Sequence, residues 1–250
     1  MLAPTELDRL SVVLVSTRNP LNIGAAARAM SNFGFSGLRV VHPYEAAFRE
    51  ARSAVGATDL LAKAEEHDTV APAVADCSLV VGTTAVRHRR LNHLVRRLED
   101  GSRLIRRRLR TGRVALVFGS EKFGLSNDDL SHCHWLMRIP TCEGNISMNL
   151  GQAVAVCLYE LIRNSKAPGA AEKTSTAASA EIERISDSLA AALRESGFLD
   201  RRRVADADQR IRRLVRRLNL PQQDVVMWLG IFRQIVWKLR HPGSSSLPES

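Results

Sequence analysis

Short apolar runs alternate with helical patterns along residues 1–165, and this alternation limits the fold more than any other feature. The runs are rich in β-branched residues and read SVVLVS, LRVVHP, SLVVGTT, RVALVFG and WLMRIP. Such an order predicts an α/β domain with a mainly parallel sheet and helices on both faces. Ligands of such sheets bind at the carboxyl ends of the strands. Candidate binding loops therefore begin near Ser16, Gly82, Gly119 and Pro140.

The pattern changes after residue 165. Residues 166–179 are mostly small and polar, which predicts a linker. In residues 180–241 apolar residues recur at helical spacing, which predicts three amphipathic helices that pack together or against the first domain. Residues 242–250 are predicted to be a disordered tail. The expected apolar helix faces are Ile182, Ile185, Leu189 and Leu193; Ile211, Leu214, Val215 and Leu218; and Val225, Leu229, Phe232, Ile235, Val236 and Leu239.

The charge of the chain predicts a polyanionic partner. Lys and Arg total 36 against 26 acidic residues, a formal net charge of +10. Arginines concentrate between residues 87 and 113 and again at 201–203 and 210–217. Such clusters attract phosphates by charge and counterion release, although each could also be a solvated helix face. The residues expected to contact RNA are Arg87, Arg89, Arg90, Arg202 and Arg213.

The sequence carries no apolar stretch of the roughly 20 residues that a membrane-spanning helix needs, and no secretory signal at its start. We therefore expect a cytoplasmic protein. His132, Cys133 and His134 are adjacent, but without a second ligand pair at zinc spacing they favour a solvated turn over a metal site. The cysteines lack C-x-x-C spacing and are expected to be reduced thiols: Cys77, Cys133, Cys142 and Cys157.

Several common enzyme motifs are absent from the sequence. No G-x-G-x-x-G follows the first apolar run, and Leu125 stands where a Walker A loop starting at Gly119 would have its lysine. There is no G-x-S-x-G and no compact group of His and carboxylates. A dehydrogenase, kinase, NTPase or hydrolase is therefore disfavoured.

Three polar segments that follow apolar runs remain as candidates for chemistry. They are residues 19–28 (NPLNIGAAAR), 118–126 (FGSEKFGLS) and 139–149 (IPTCEGNISMN). Each segment alone also fits an ordinary capped helix or turn.

Each segment offers polar groups to a ligand. Asn22 could cap a helix, and Arg28 has a guanidinium that could bind a phosphate or be held by Glu121. Ser147 and Asn149 precede an Ala-rich helix, where free backbone N–H groups could meet a ligand.

Together, in this order and spacing, the segments resemble the motifs N-x-G-x-x-x-R, F-G-x-E-x-x-G-L-[ST] and S-x-N of TrmH/TrmJ-type SPOUT RNA 2′-O-methyltransferases. The resemblance spans roughly residues 9–164, and residues 181–239 resemble the helical extension of the TrmJ branch. Residues 1–165 would then be the SPOUT methyltransferase domain, and 180–241 an extension for RNA binding or dimer contacts. The resemblance implies a trefoil knot, a homodimer whose sites are completed by both chains, and S-adenosylmethionine as cofactor.

The resemblance also implies a reaction and its residues. The substrate would be the 2′-hydroxyl of a tRNA cytidine or uridine at position 32 of the anticodon loop. Arg28 would hold the adjacent phosphate and stabilise the developing alkoxide, Glu121 would orient Arg28, Asn22 and Ser147 would position the ribose, and no metal is needed. The implied cofactor-binding residues are Thr83, Thr84, Ala85, Gly119, Ile139, Ile146, Ser147, Met148 and Asn149.

Four other functions remain open. A methyltransferase of RNA bases, as in other SPOUT branches with different motifs, is one of them. A 2′-O-methyltransferase of ribosomal RNA would use the same motifs. A catalytically silent RNA-binding protein could share the fold. An enzyme acting on a small molecule would not need the basic clusters.

Overall fold

The computed structural model describes most of the chain. The described residues are 2–48, 58–85, 93–142, 144, 146–163, 175–199 and 204–241.

The described residues form one parallel sheet of seven strands. The strands are β1 (Leu10–Val15), β2 (Gly37–Val41), β3 (Glu65–His67), β4 (Leu79–Thr83), β5 (Val95–Arg97), β6 (Val114–Phe118) and β7 (Trp135–Arg138). Their order in the sheet is β3-β2-β1-β6-β4-β7-β5, and every neighbouring pair is parallel. The trefoil knot stays a prediction.

Helices cover both faces of this sheet. They are α1 (Pro4–Leu7), α2 (Pro20–Phe33), α3 (Thr58–Ala62), α4 (Val70–Ala73), α5 (Leu98–Leu109), α6 (Asn127–Ser131) and α7 (Leu150–Arg163). Along β1, Val12 and Leu14 join the apolar cluster under α2, α5 and α7, whereas Val13 and Val15 join the cluster under α4 and α6. Alternating side chains of a strand point to opposite faces, so both faces are buried. The predicted α/β class is confirmed.

Helix α2 begins one turn earlier than the predicted cap. The side chain of Asn19 accepts a hydrogen bond of 2.9 Å from the N–H of Leu21, and Pro20 occupies the first helical position. The fixed φ of proline suits that position. We expected Asn22 to be the cap, but it lies inside the first turn of the helix, where it is buried.

Residues 175–241 contain a helical extension. Its helices are α8 (Ser179–Glu195), α9 (Val204–Arg217) and α10 (Val225–Arg240). Their predicted apolar faces are only partly right. Leu214, Leu218, Ile235 and Leu239 are at least 40% exposed. The buried members of the faces are Ile182, Ile185, Ile211, Val215, Val225 and Phe232.

The extension packs against the α/β domain. The N–H of Ser179 donates to the carbonyl of Cys77 (2.8 Å), and the N–H of Ala180 donates to the carbonyl of Ala75 (2.9 Å). Of the predicted linker, the structure describes residues 175–179, in which Ala177 is buried in the core of the extension. The first turn of α8 is thus fixed to the end of the loop that leads into β4.

The residues His132 to His134 do not form the solvated turn that we expected. His132 and Cys133 are buried, and burial raises the pKa of the Cys133 thiol to about 12. Burial and the nearby charges of Arg216 and Arg108 lower the pKa of His134 to about 3. The neutral His134 ring accepts a hydrogen bond of 3.0 Å from the N–H of Val80 through Nδ1. This segment is part of the core beside β4.

None of the described helices combines the length and the apolarity that crossing a bilayer requires.

Arg39 on β2 is a buried cation with several partners. Its guanidinium donates to both carboxylate oxygens of Asp76 (2.6 and 2.9 Å) and to the carbonyl of Ala73 (2.9 Å), and it pairs with Glu65 at 3.0 Å. The hydrogen bond from Arg39 lowers the pKa of Asp76 from 3.8 to about 2. The network links β2, β3 and the loop before β4.

We expect Asp76→Asn to lower the free energy of unfolding by about 1–2 kcal/mol at neutral pH, because the buried Arg39 loses one of its charged partners and keeps Glu65, while Asp76 itself is partly exposed to solvent. The folded-state pKa of Asp76 lies below its unfolded value. The stabilisation is therefore complete above about pH 4 and is lost as the pH falls towards 2. Urea unfolding should show a difference between variant and wild type at neutral pH that shrinks in acid.

The exposed Asp68 provides the control, since Asp68→Asn should change the unfolding free energy by less than about 0.5 kcal/mol. Equal stability of the two variants at neutral pH would contradict the role given to Asp76.

Candidate active site

A pocket of about 650 Å³ lies at the carboxyl ends of β4, β6 and β7. This size lies within the usual range of roughly 300–1,000 Å³ for small-molecule sites. All three polar segments predicted from the sequence contribute to it, together with the residues after β4. Its lining includes every predicted cofactor-binding residue: Thr83, Thr84, Ala85, Gly119, Ile139, Ile146, Ser147, Met148 and Asn149.

One chain of hydrogen bonds joins the three segments at the pocket. The side-chain N–H of Asn149 donates to the amide oxygen of Asn22 (2.7 Å), and the amide nitrogen of Asn22 donates to a carboxylate oxygen of Glu121 (2.9 Å). An ionised carboxylate only accepts hydrogen bonds, so Glu121 fixes which way the Asn22 amide faces. The second oxygen of Glu121 accepts from the N–H of Arg18 (3.4 Å).

The loop after β6 requires glycine at Gly119. A Cβ atom there would lie 2.1 Å from the carbonyl carbon of Gly124. Gly124 itself has φ of +67°, the left-handed region that favours glycine, and its N–H donates to the carbonyl of Ser120 (2.8 Å). The loop therefore folds back on itself at the pocket wall, and Glu121 lies at its tip.

The other walls are fixed by short-range bonds to the strand ends. Thr83 donates from its hydroxyl to the carbonyl of Val117 (3.0 Å), and the N–H of Thr84 donates to the carbonyl of Met137 (3.0 Å). Across the third segment, the hydroxyl of Thr141 donates to the carbonyl of Ile146 (3.3 Å). These bonds position the backbone of the loops after β4 and β7 around the pocket.

Arg28 is the one predicted catalytic residue that does not line this pocket. Asn22, Glu121 and Ser147 line it, whereas Arg28 is an exposed residue farther along α2. The expectation that Glu121 holds Arg28 is not met within this chain, because the Glu121 carboxylate binds Asn22 and the backbone of Arg18.

The arginines of α9 divide between two faces of the helix. Arg212 and Arg216 turn inward, and both donate to the carboxylate of Glu183 (3.0 and 2.5 Å). Arg216 is only 1% exposed, so the expectation that the whole cluster at 210–217 meets phosphate is wrong for these two residues. Arg213 is half-buried and Arg217 is exposed.

Arg213 and Arg217 lie near the pocket wall. Burial and the charges of these two arginines lower the pKa of His93, and the backbone of the pocket residue Leu130 acts to raise it. The remaining predicted RNA contacts lie outside the described residues: Arg87, Arg89, Arg90 and Arg202.

Sequence reasoning missed two kinds of residue. Leu130 lines the pocket as an ordinary apolar residue, and the sequence around it gives no signal of that role. Glu183 and His132 bind each other across the two parts of the chain (3.2 Å), and they are 51 residues apart. For a residue such as Glu183, the signal in the sequence is a polar residue inside an amphipathic helix.

The comparisons with known proteins agree with this site. Residues 9–159 match the SpoU rRNA Methylase family. The chain is 36% identical over 242 residues to the tRNA (cytidine/uridine/adenosine-2′-O-)-methyltransferase TrmJ of Pseudomonas aeruginosa strain UCBPP-PA14, across 91% of this chain and 94% of that protein. It is 32% identical over 236 residues to the tRNA (cytidine/uridine-2′-O-)-methyltransferase TrmJ of Photorhabdus laumondii, across 92% and 97% of the two chains.

A solved structure extends the similarity to the whole fold. The crystal structure of TrmJ from Z. mobilis ZM4 matches with a TM-score of 0.78 at 30% identity, covering 90% of this chain and 98% of that one. The resemblance predicted from the three motifs is confirmed. Because the family match covers more than half of the residues, this chain belongs to the SpoU rRNA methylase family.

Proposed function

We propose that this chain transfers the methyl group of S-adenosylmethionine to a ribose 2′-hydroxyl of tRNA, at a cytidine or uridine in position 32 of the anticodon loop. The observation that carries the proposal is the hydrogen-bond chain from Asn149 through Asn22 to Glu121, which joins all three motifs at one pocket. The named activities of relatives that align over nearly the whole chain support tRNA as the substrate.

The pocket fits the cofactor by its chemistry. Apolar side chains of Leu125, Leu130 and Met137 offer a surface for a flat base, and residues 83–85, 139, 141 and 146–148 line the pocket around it. Such a mainly apolar wall with a few polar groups is typical of cofactor sites. When bound, S-adenosylmethionine supplies a methyl group that is already activated by its sulfonium, so the transfer needs no metal ion.

The residues of the chain have three tasks in this reaction. Asn22 and Ser147 position the ribose, and Glu121 holds the Asn22 amide in one orientation. A fixed geometry raises the rate because the hydroxyl must attack in line. A cation near the attacking oxygen stabilises the alkoxide that develops, and arginine keeps its charge at any physiological pH.

We infer that Arg28 provides this cation to the pocket of a second copy in a homodimer. Arg28 is exposed and lies outside the pocket of its own chain. Leu21 and Phe123, which flank the motif residues, are 78% and 71% exposed. Large apolar side chains that are exposed together are typical of protein contacts, which supports a partner chain at this face.

Arg213 and Arg217, whose charges act on His93, would bind the tRNA backbone. Arg87, Arg89 and Arg90 follow the pocket residue Ala85 in the sequence and would contribute to the same binding. We propose that residues 1–165 perform catalysis in the cytoplasm and that residues 180–241 help to bind RNA.

The direct test uses methyl-labelled S-adenosylmethionine with total tRNA and, in parallel, ribosomal RNA, both from a strain that lacks the gene. We expect label in a 2′-O-methylated anticodon-loop nucleotide, identified by nuclease digestion and mass spectrometry. Label only in ribosomal RNA would keep the chemistry and overturn the substrate. No label in either RNA, despite cofactor binding, would favour a silent RNA-binding protein.

Arg28→Ala should reduce single-turnover methyl transfer by about 10²-fold or more, because removing one electrostatic contact to a developing oxyanion has an effect of this size. Cofactor affinity should stay near that of the wild type, since Arg28 does not line the pocket. Rapid-quench transfer assays and calorimetric titration measure the two quantities. Near-normal transfer would contradict the assignment.

A mixed dimer tests whether Arg28 acts in the partner's site. Gly119→Val should block the pocket, because even a Cβ atom there meets the backbone of Gly124. A heterodimer of Arg28→Ala and Gly119→Val chains, isolated with two affinity tags, should recover transfer at one of its sites although each homodimer is inactive. An inactive heterodimer would place Arg28 in its own chain's site.

Replacing both Arg213 and Arg217 by Gln should weaken tRNA binding and lower the slope of log affinity against log salt by about 1 for each lost phosphate contact. Arg216→Gln provides the contrast: it should leave the slope unchanged and lower thermal stability, because Arg216 is buried against Glu183. Filter binding across a salt series measures the slopes. Equal slopes for the double variant and the wild type would mean that this face does not meet RNA.

A further inference from the structure

Glu183 on α8 is the centre of a cluster that connects the extension to the α/β domain. Its carboxylate binds His132 (3.2 Å), Arg212 (3.0 Å) and Arg216 (2.5 Å). Burial acts to raise the pKa of Glu183, but the hydrogen bond from His132 and the two arginine charges outweigh it and lower the pKa to about 2. The carboxylate is therefore charged at neutral pH, and it is the shared partner of both parts of the chain.

The α/β side of this cluster is the short segment that also forms a wall of the pocket. Arg212 donates to the hydroxyl of Ser131 (2.8 Å) and pairs with Asp128 (3.4 Å), both on α6. Leu130, between them, lines the pocket. The segment 128–132 therefore has the extension on one side and the cofactor pocket on the other.

The extension side of the cluster is the helix that carries the proposed RNA contacts. Arg212 and Arg216 are four residues apart and bind Glu183, whereas Arg213 and Arg217 form the adjacent outward face near His93. Residues four apart lie on the same side of a helix. A shift of α9 on binding a phosphate backbone would move both arginine pairs together.

We propose that Glu183 is a positioning residue that couples tRNA binding on α9 to cofactor binding in the pocket, through Arg212 and the segment 128–132. This inference rests on the proposed function. Bound tRNA fixes α9, α9 fixes α6 through the Glu183 cluster, and α6 presents Leu130 to the cofactor. Coupling between two binding sites is reciprocal, so the cofactor must strengthen tRNA binding by the same factor.

The experiment measures the dissociation constant of S-adenosylhomocysteine by calorimetry, without tRNA and with saturating tRNA from a strain lacking the gene. This probe cannot transfer a methyl group, so binding is measured without turnover. We expect tRNA to tighten binding by about fivefold or more in the wild type, the lower end of typical coupling. The coupling ratio is the dissociation constant without tRNA divided by that with tRNA. In Glu183→Gln this ratio should fall below about twofold, while the affinity without tRNA changes little.

Asp208→Asn is the matched control. It removes a carboxylate from an arginine pair, Arg194–Asp208, that lies wholly within the extension. It should keep the wild-type coupling ratio. A ratio that falls equally in both variants would mean that any loosening of the extension has the effect, and it would overturn the role of Glu183.

Arg212→Gln is the second variant, since Glu183→Gln leaves the buried Arg216 without its charged partner and could unfold α9. Arg212 is partly exposed, and among the described residues its loss removes the bonds to Glu183, Ser131 and Asp128. With helix content unchanged by circular dichroism, it should also lose the coupling. Wild-type coupling in a folded Arg212→Gln or Glu183→Gln variant would overturn the inference.

Steady-state kinetics separate positioning from a general loss of structure. At saturating tRNA, Glu183→Gln should raise the KM for S-adenosylmethionine by about the same factor by which the coupling ratio falls. It should leave kcat nearly unchanged. A lower kcat with unchanged KM would overturn the inference. Absence of coupling in a wild-type chain that binds and methylates tRNA would refute the coupling alone, whereas absence of tRNA binding or methylation would refute the proposed function.

Discussion

Parallel pairing of β4, β6 and β7 is the constraint on which the site depends. Because all strands point the same way, the loops that follow them emerge at one edge, and segments that are far apart in the sequence meet there. Backbone bonds such as that from Thr84 to the carbonyl of Met137 then hold neighbouring loops together. The pocket is thus formed largely by peptide groups and apolar side chains, and its shape follows from the register of the strands rather than from a cluster of charges.

The side-chain amides of Asn22 and Asn149 provide fixed polar groups in this pocket. Asn22 is buried and both ends of its amide are used, by Asn149 and by Glu121. A buried amide with both ends bonded has one orientation, since an unbonded donor or acceptor would be costly. The permanent cation Arg28 lies outside the pocket. Among the described residues that line the pocket, the charged side chains are Glu121 and Lys122, which have opposite signs. In the homodimer that we propose, the partner chain would supply the cation of Arg28 only once the two chains have assembled.

The sequence was sufficient to predict the elements that obey a simple period. The five apolar strands and the loops after them are where the patterns placed them. The nine residues that the family resemblance implies for the cofactor all line one pocket, and their role stays a prediction. The strands β3 and β5 were missed because each is a three-residue edge strand rich in charge, Glu65–His67 and Val95–Arg97, with no apolar period to detect. The burial of His132 was missed for a different reason. His132 binds Glu183 of the extension, which no local pattern around residue 132 reveals.

The same limit applies to reading function from charge. A net charge of +10 predicts a polyanion, yet it does not say which arginines remain available to bind one. Moving a guanidinium out of water is costly unless a carboxylate accompanies it, so each buried arginine implies a specific acidic partner. Glu183 is this acidic partner for Arg216, and it is one of the acidic partners of Arg212. Arg213 and Arg217 directly follow Arg212 and Arg216 in the sequence, and one residue rotates a side chain by about 100° around the helix. Helical position relative to an acidic partner, and not the local density of arginine, therefore decides which cations contribute to folding and which remain at the surface.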